Sequence, residues 1–156
     1  MKLLMVCLGN ICRSPLAEGI MQQEIDAHQL NWIVDSAGTG SWHVGDPPDP
    51  RSIEVARQHD LDITHQRARQ FKAADLQEFD YIFAMDSSNY QNIIRLTDSE
   101  EQRQKVKLIM NMERPGYNES VPDPYYDEDG FDEVYQMLTR ACKGVIKEWE
   151  SNNLSV

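Results

Sequence analysis

Cysteine is scarce in this chain of 156 residues: Cys7, Cys12 and Cys142 are odd in number and too sparse for a disulfide framework. No C-x-x-C occurs, and His28, His43, His59 and His65 keep no ligand spacing with the cysteines or with one another, which argues against a zinc site. Cationic side chains are also few. Fifteen Lys and Arg stand against 26 Asp and Glu, and the net charge of −11 weighs against nucleic acid or an anionic membrane surface as partner. No apolar run approaches the length that spans a bilayer. The apolar start at 3–6 is too short for a secretory signal, and the polar pair Gly9-Asn10 follows closely. There is no G-x-x-x-x-G-K, and Gly38-Thr39-Gly40 fails as a dinucleotide fingerprint because His43 stands at the third glycine. The expectation is a cytoplasmic protein that uses no cofactor and no metal and binds neither nucleic acid nor membrane.

What the chain does have is a regular alternation. Short apolar runs at 2–8, 32–37, 81–85 and 106–110 read as buried strands. Between them lie helical patterns: Ala17, Met21 and Ile25, then Ile53 and Ala56 after Asp49-Pro50, then Ile93, Ile94 and Leu96. A last helix over 131–149 carries Phe131, Val134, Leu138, Cys142, Val145 and Trp149 on one face. Ser14 is expected to cap the first helix, with Pro15 at its first position and Glu18 in its first turn. Strands alternating with helices predict one α/β domain, a four-stranded parallel sheet with helices on both faces. Ligands of such sheets bind beyond the carboxyl ends of the strands, where the loop after the first strand lies.

That loop is Cys7-Leu8-Gly9-Asn10-Ile11-Cys12-Arg13. A loop between a strand and a helix N-terminus aims backbone N–H groups and the positive end of the helix dipole at one spot. An anion there would meet sulfur on one side and guanidinium on the other. Thiols beside cations and helix N-termini ionise below their usual range, and the agents here would be Arg13, the loop amides and the Ser14 hydroxyl. Gly9 permits a tight turn, Asn10 tolerates left-handed backbone angles, and Arg13 can hold two phosphate oxygens at once. The competing reading takes Cys7 as a small hydrophobe ending a strand and Arg13 as a solvated charge. The cysteine-to-arginine spacing alone does not separate the two. The strand lead-in, the Gly-Asn interior and the Ser14-Pro15 helix start favour thiolate attack on a phosphate ester. The negative net charge sits awkwardly with an anionic substrate, but charges beyond about 8–10 Å are largely screened at physiological salt.

The segment from Val6 to Pro15 resembles the signature of the low-molecular-weight protein tyrosine phosphatases. The likeness continues through Asp35-Ser36-Ala37-Gly38, Asp49-Pro50-Arg51, Ala68-Arg69-Gln70, Met85-Asp86-Ser87-Ser88-Asn89 and Asp123-Pro124-Tyr125, nearly the whole chain. It implies a single phosphatase domain over residues 1–156, with Cys7 as nucleophile and the backbone of Leu8, Gly9, Asn10, Ile11, Cys12 and Arg13 cradling phosphate. Arg13 would clamp the equatorial oxygens, Ser14 would support the thiolate, and Asn10 would shape the loop. Asp123 would be the general acid. Among 26 acidic residues only the resemblance singles it out, although Pro122 and Pro124 would restrict its backbone. Trp42, Tyr125 and Tyr126 would wall the cleft for a phosphotyrosine ring; the alternative is that they cover the core edge. The implied reaction is hydrolysis of phosphotyrosine in proteins, and of small aryl phosphates, through a cysteinyl-phosphate that releases inorganic phosphate without a metal. The expected state is a monomer, some relatives associating weakly through active-site aromatics.

Two positions stay open at this point. Some relatives use a cysteine at the place of Cys12 to trap the oxidised nucleophile as a disulfide, whereas Cys12 would otherwise be a loop residue whose backbone alone matters. Gln66 stands where many relatives carry a histidine that supports the phosphate loop, and His65 is one position too early. Cys142, on the apolar stripe of the last helix, reads as core. An arsenate reductase on the same scaffold is disfavoured, because the segment 85–96 holds no cysteine.

Overall fold

The computed structural model describes residues 1–127 and 129–154; the expected domain bounds of 1–156 therefore take in three residues outside the described ones. Strand β1 (Lys2–Cys7) lies near the middle of the sheet, and all its residues after Lys2 are buried. Its side chains alternate as a strand with two covered faces requires. Leu3, Met5 and Cys7 enter one core, and Leu4 and Val6 enter the other. Each such large side chain contributes about 1.5–3 kcal/mol by leaving water.

The remaining strands are β2 (Ile33–Gly38), β3 (Tyr81–Ala84) and β4 (Val106–Leu108). All pair in parallel, in the order β2-β1-β3-β4, as the α/β expectation requires. Helices α1 (Arg13–Ala27), α2 (Pro50–Gln58) and α6 (Gly130–Glu150) cover one face. Short helices α3 (Asp75–Glu78) and α4 (Ser87–Ile94) cover the other, and the charged α5 (Glu100–Lys105) precedes β4 without burying a side chain. The chain crosses from β2 past β1 to β3, so the carboxyl ends of β1 and β3 flank a topological switch point where α/β sheets hold ligands.

Three expectations are corrected. The fourth strand stops at Leu108 rather than 110, because Ile109–Met112 coils into a buried 3-10 turn. Gly144 of α6 rests so closely on the backbone of Met112 that a side chain there would collide with its carbonyl. Ser14 does not cap α1: the helix begins at Arg13 with Cys12 at the cap position and no side-chain cap bond. Glu18 consequently lies beyond the first turn, which holds no acidic residue. Asp49 does cap α2, accepting from Arg51 N at 2.8 Å with Pro50 at the first position.

Candidate active site

Cys7 ends β1 opposite Gly38, the last residue of β2. The loop turns beneath Gly38, where an added Cβ would meet Leu8 O at 2.8 Å and Asn10 N at 3.1 Å, so only glycine lets the strand approach this closely. Asn10 takes the left-handed conformation (φ 58°) that sequence alone suggested. Its buried side chain is fully engaged: Nδ2 donates to Ser14 Oγ at 2.7 Å and to Ser36 Oγ at 3.0 Å, and Oδ1 accepts from Arg69 N at 3.0 Å. Ser14 is used here, which is why it does not cap the helix. Its hydroxyl lies 3.0 Å from Cys7 Sγ, and Asn10 N donates to the same sulfur at 3.3 Å. Among the described residues, the backbone N–H groups of Leu8, Gly9, Ile11 and Cys12 donate to no protein acceptor. A loop of unspent donors around a sulfur is an anion cradle.

Arg13, on the first turn of α1, is only 2% exposed. Its Nη1 donates to Asp86 Oδ2 at 2.6 Å and to Val121 O at 3.0 Å, while Nη2 lies 3.7 Å from Asp123 Oδ2. Burial opposes the charge, but Cys7, Asp86 and Asp123 together hold the guanidinium above its ordinary value. Asp86 caps α4 through Asn89 N at 2.7 Å and orients Arg13 with its other oxygen. Sequence reasoning did not assign Asp86 a role. Its position before Ser87-Ser88-Asn89 marks a helix start, but nothing local names an arginine far upstream as its partner.

The cleft above Cys7 has a volume of about 340 Å³. Its floor is Cys7, Gly9, Cys12 and Arg13, and its walls include Leu8, Ile11, Trp42, His43, Asp123, Tyr125 and Tyr126. Every residue named from the sequence as catalytic, and the three aromatics, thus face one cavity; Asn10 and Ser14 lie buried behind it. Trp42 is 71% and Tyr126 92% exposed, so both rings stand at the rim, and Tyr125 meets Tyr126 edge-on with centroids 4.9 Å apart. Asp123 precedes a short 3-10 turn (Pro124–Tyr126), its Oδ1 accepting from Tyr125 N at 3.0 Å. The Arg51 guanidinium is stacked on Tyr125 (5.4 Å to the centroid) and Phe131 (4.6 Å) and is paired with Asp49 at 2.9 Å. Asp49 N in turn donates to Ile11 O at 2.8 Å, so this group ties the loop carrying Asp123 to the cysteine loop. His43 is a wall residue that the sequence had brought up only as a metal ligand without the right spacing and as a missing glycine.

Cys12 is buried beside the nucleophile. Burial, then the charges of Asp49, Cys7 and Asp123, push its thiol up to about 12. Cys142 is fully buried under α1, as its stripe predicted, and burial pushes its thiol up as well. Gln66 donates from Nε2 to Pro15 O at 3.1 Å, so it braces the start of α1 rather than the loop, and its Oε1 has no partner among the described residues. Among the described residues, no group of three His, Cys, Asp or Glu side chains is arranged to hold a metal ion.

The chain matches the family described as low molecular weight phosphotyrosine protein phosphatase over residues 2–154. It is 43% identical over 150 residues to the Schizosaccharomyces pombe protein named low molecular weight phosphotyrosine protein phosphatase, covering 94% of this chain and 95% of that one. Among solved structures, a protein tyrosine phosphatase from Entamoeba histolytica superposes with a TM-score of 0.92 at 40% identity, covering 99% of both chains. A Drosophila arginine phosphatase superposes with a TM-score of 0.89 at 34% identity, covering 96% of this chain and 98% of that one.

Proposed function

Because the chain belongs to the low molecular weight phosphotyrosine protein phosphatases, a family of cysteine-based, metal-independent enzymes, we propose that it hydrolyses phosphotyrosine with Cys7 as nucleophile, Arg13 as phosphate clamp and Asp123 as general acid and base. The observation that carries this assignment is the meeting of the Cys7 sulfur, the Arg13 guanidinium and the Asp123 carboxyl on one cleft. The phosphoryl group sits in the loop, its oxygens taking the N–H groups of Leu8, Gly9, Ile11, Cys12 and Arg13 and the guanidinium of Arg13, while the N–H of Asn10, expected in the cradle, is spent on the Cys7 sulfur. Ser14 Oγ and Asn10 N hold the sulfur in line with phosphorus. Cys7 thiolate forms the S–P bond as the P–O bond to tyrosine breaks, and protonated Asp123 gives its proton to the departing phenolic oxygen. Asp123, now a carboxylate, takes a proton from water as that water attacks phosphorus, and inorganic phosphate leaves with the thiolate restored. Loop dipoles and Arg13 stabilise the charge on the phosphoryl oxygens in both steps.

Trp42, Tyr125 and Tyr126 supply the apolar walls against which an aryl ring packs, which supports phosphotyrosine in proteins, and small aryl phosphates, as substrates. A nucleophilic thiol needs reducing surroundings, which supports a cytoplasmic site of action. The net charge of −11 supports a protein partner rather than nucleic acid or membrane. Cys12 is proposed as the partner that traps oxidised Cys7, and the working unit as a monomer of one domain.

The test is hydrolysis of p-nitrophenyl phosphate, with EDTA and a thiol reductant, by wild type and Cys7→Ser, with vanadate as inhibitor. Turnover that vanishes in Cys7→Ser while phosphate still binds supports the assignment; unchanged turnover in that variant removes it. Because an arginine phosphatase shares the fold, phosphotyrosine and phosphoarginine peptides are compared with the same enzyme. Preference for phosphoarginine would overturn the substrate proposed.

A further inference from the structure

Behind the cysteine loop runs a series of side-chain hydrogen bonds that the reaction above does not use in full. Ser36 Oγ donates to Glu18 Oε1 at 2.7 Å, and Asn10 Nδ2 donates to Ser36 Oγ at 3.0 Å and to Ser14 Oγ at 2.7 Å. Ser14 Oγ in turn lies 3.0 Å from Cys7 Sγ. The direction of each link follows from donor counting. Arg69 N donates to Asn10 Oδ1, which fixes the amide with its nitrogen facing both serines. Ser36 spends its one proton on the Glu18 carboxylate, so its oxygen accepts from Asn10. Ser14 accepts the other amide proton, so its own hydroxyl proton is left for the sulfur.

We propose that Glu18 is a positioning residue for the phosphatase reaction, its carboxylate setting the direction of a relay through Ser36, Asn10 and Ser14 that ends on the Cys7 sulfur. The proposal rests on the assignment of Cys7 as nucleophile.

The surroundings of Glu18 make its charge responsive to pH. Burial is the largest influence, and it raises the carboxyl to about 7 against the pull of the Ser36 hydrogen bond. Asp35 on β2 repels its charge, and Arg69 attracts it. That arginine is already engaged by Asp35 at 3.1 Å and by both oxygens of Asp75, at 3.1 and 3.2 Å. Asp26 of α1, with Asp62 and His65 from the segment after α2, border the hollow that Glu18 shares with Gln66. Gln66 adds no cation there. Above neutrality Glu18 is a carboxylate, the stronger acceptor, and each bond of the relay is reinforced by the next. Below neutrality it is a weaker, neutral acceptor, and the relay slackens.

The experiment follows kcat and KM for p-nitrophenyl phosphate across the pH range in wild type, Glu18→Gln, Ser36→Ala and the double variant. Glutamine keeps the shape and the neutral acceptor, so it imitates protonated Glu18 at every pH. The ionisation of the substrate is common to all four proteins and cancels in ratios. The expected ratio of wild-type to Glu18→Gln kcat/KM is near one in acid and rises to about fivefold above neutrality, the worth of about one hydrogen bond. In the Ser36→Ala background the Glu18→Gln effect disappears. A ratio that is flat with pH, or an effect that persists in full without Ser36, overturns the relay. Either result leaves the nucleophile assignment standing, which only an active Cys7→Ser would remove.

Discussion

Replacing Asp86 by asparagine separates two duties that one carboxylate performs. Oδ1 caps α4 through Asn89 N, and Oδ2 holds Arg13 Nη1 at 2.6 Å, with the arginine side chain only 3% exposed. Asparagine caps a helix as well as aspartate does, so α4 keeps its start. With its single oxygen kept on Asn89 N, the amide turns its NH2 toward Arg13 Nη1, so donor meets donor and the charge-assisted bond is lost. Taking about 1.5–3 kcal/mol for the charged bond, the substitution gives up that much arginine orientation, or about ten- to 150-fold in kcat/KM. Asp86→Ala loses the whole bond and also the cap; the cap alone costs about 1 kcal/mol. For a chain of this size that lowers Tm by about 2–4 °C. Kinetics with p-nitrophenyl phosphate, the affinity for vanadate and thermal unfolding measured on the same preparations check both halves. Asp86→Asn with wild-type kcat/KM would refute the claim that Asp86 orients the clamp. A matching Tm loss in both variants would refute the separation of cap from clamp.

Asp123→Asn is expected to lower kcat most for substrates with poor leaving groups and least for nitrophenyl esters, since only the former need the proton; a series of aryl phosphates reads this directly. After peroxide treatment, wild type is expected to yield a Cys7–Cys12 linked peptide by mass spectrometry and to recover activity with dithiothreitol, whereas Cys12→Ser recovers none. Because the Cys12 thiol ionises only near about 12, closure of that disulfide is expected to speed up about tenfold per pH unit from neutral upward, as thiolate supply limits it; a closure rate flat with pH would contradict this. The raised Glu18 carboxyl binds a proton in the folded chain between its ordinary 4.5 and about 7, where the unfolded chain does not, so wild-type stability falls across that window, by at most about 3 kcal/mol. Glu18→Gln is expected to match wild type below the window and to be the more stable above it, measured by urea unfolding at several pH values.

The parts of this molecule that were legible in its sequence are those decided by neighbours along the chain. β1, the turn at Gly9-Asn10 and the start of α2 at Asp49-Pro50 all follow from residues within a few positions of one another. The start of α1 was misjudged for the opposite reason: a serine before a proline reads as a cap, but Ser14 bonds Asn10 and faces Cys7 instead. The shortened β4 depended on Gly144, more than thirty residues downstream, letting α6 lie on the backbone of Met112. Asp123 was found by family likeness alone. Asp86, Glu18 and Ser36 gained their meaning only when the sheet brought β2, β3 and α1 around one loop. Gln66 shows that a residue in a familiar place can take on another task, here a bond to Pro15 O.

Cys7 closes a strand whose side chains are covered on both faces, whereas Trp42, Tyr125 and Tyr126 stand on surface loops at the rim. Regions with many buried contacts open only with the whole domain, while thinly packed loops open at far lower cost. The two halves of substrate recognition therefore sit on parts of different mechanical firmness. Gentle warming or dilute urea will loosen the grip on the aromatic ring first, raising KM for bulky aryl esters while inorganic phosphate still competes at its native strength. For nitrophenyl esters, which need no proton from Asp123, the capacity to form the cysteinyl-phosphate is then lost only as the sheet itself melts, so with them the covalent step reports on the integrity of the entire domain.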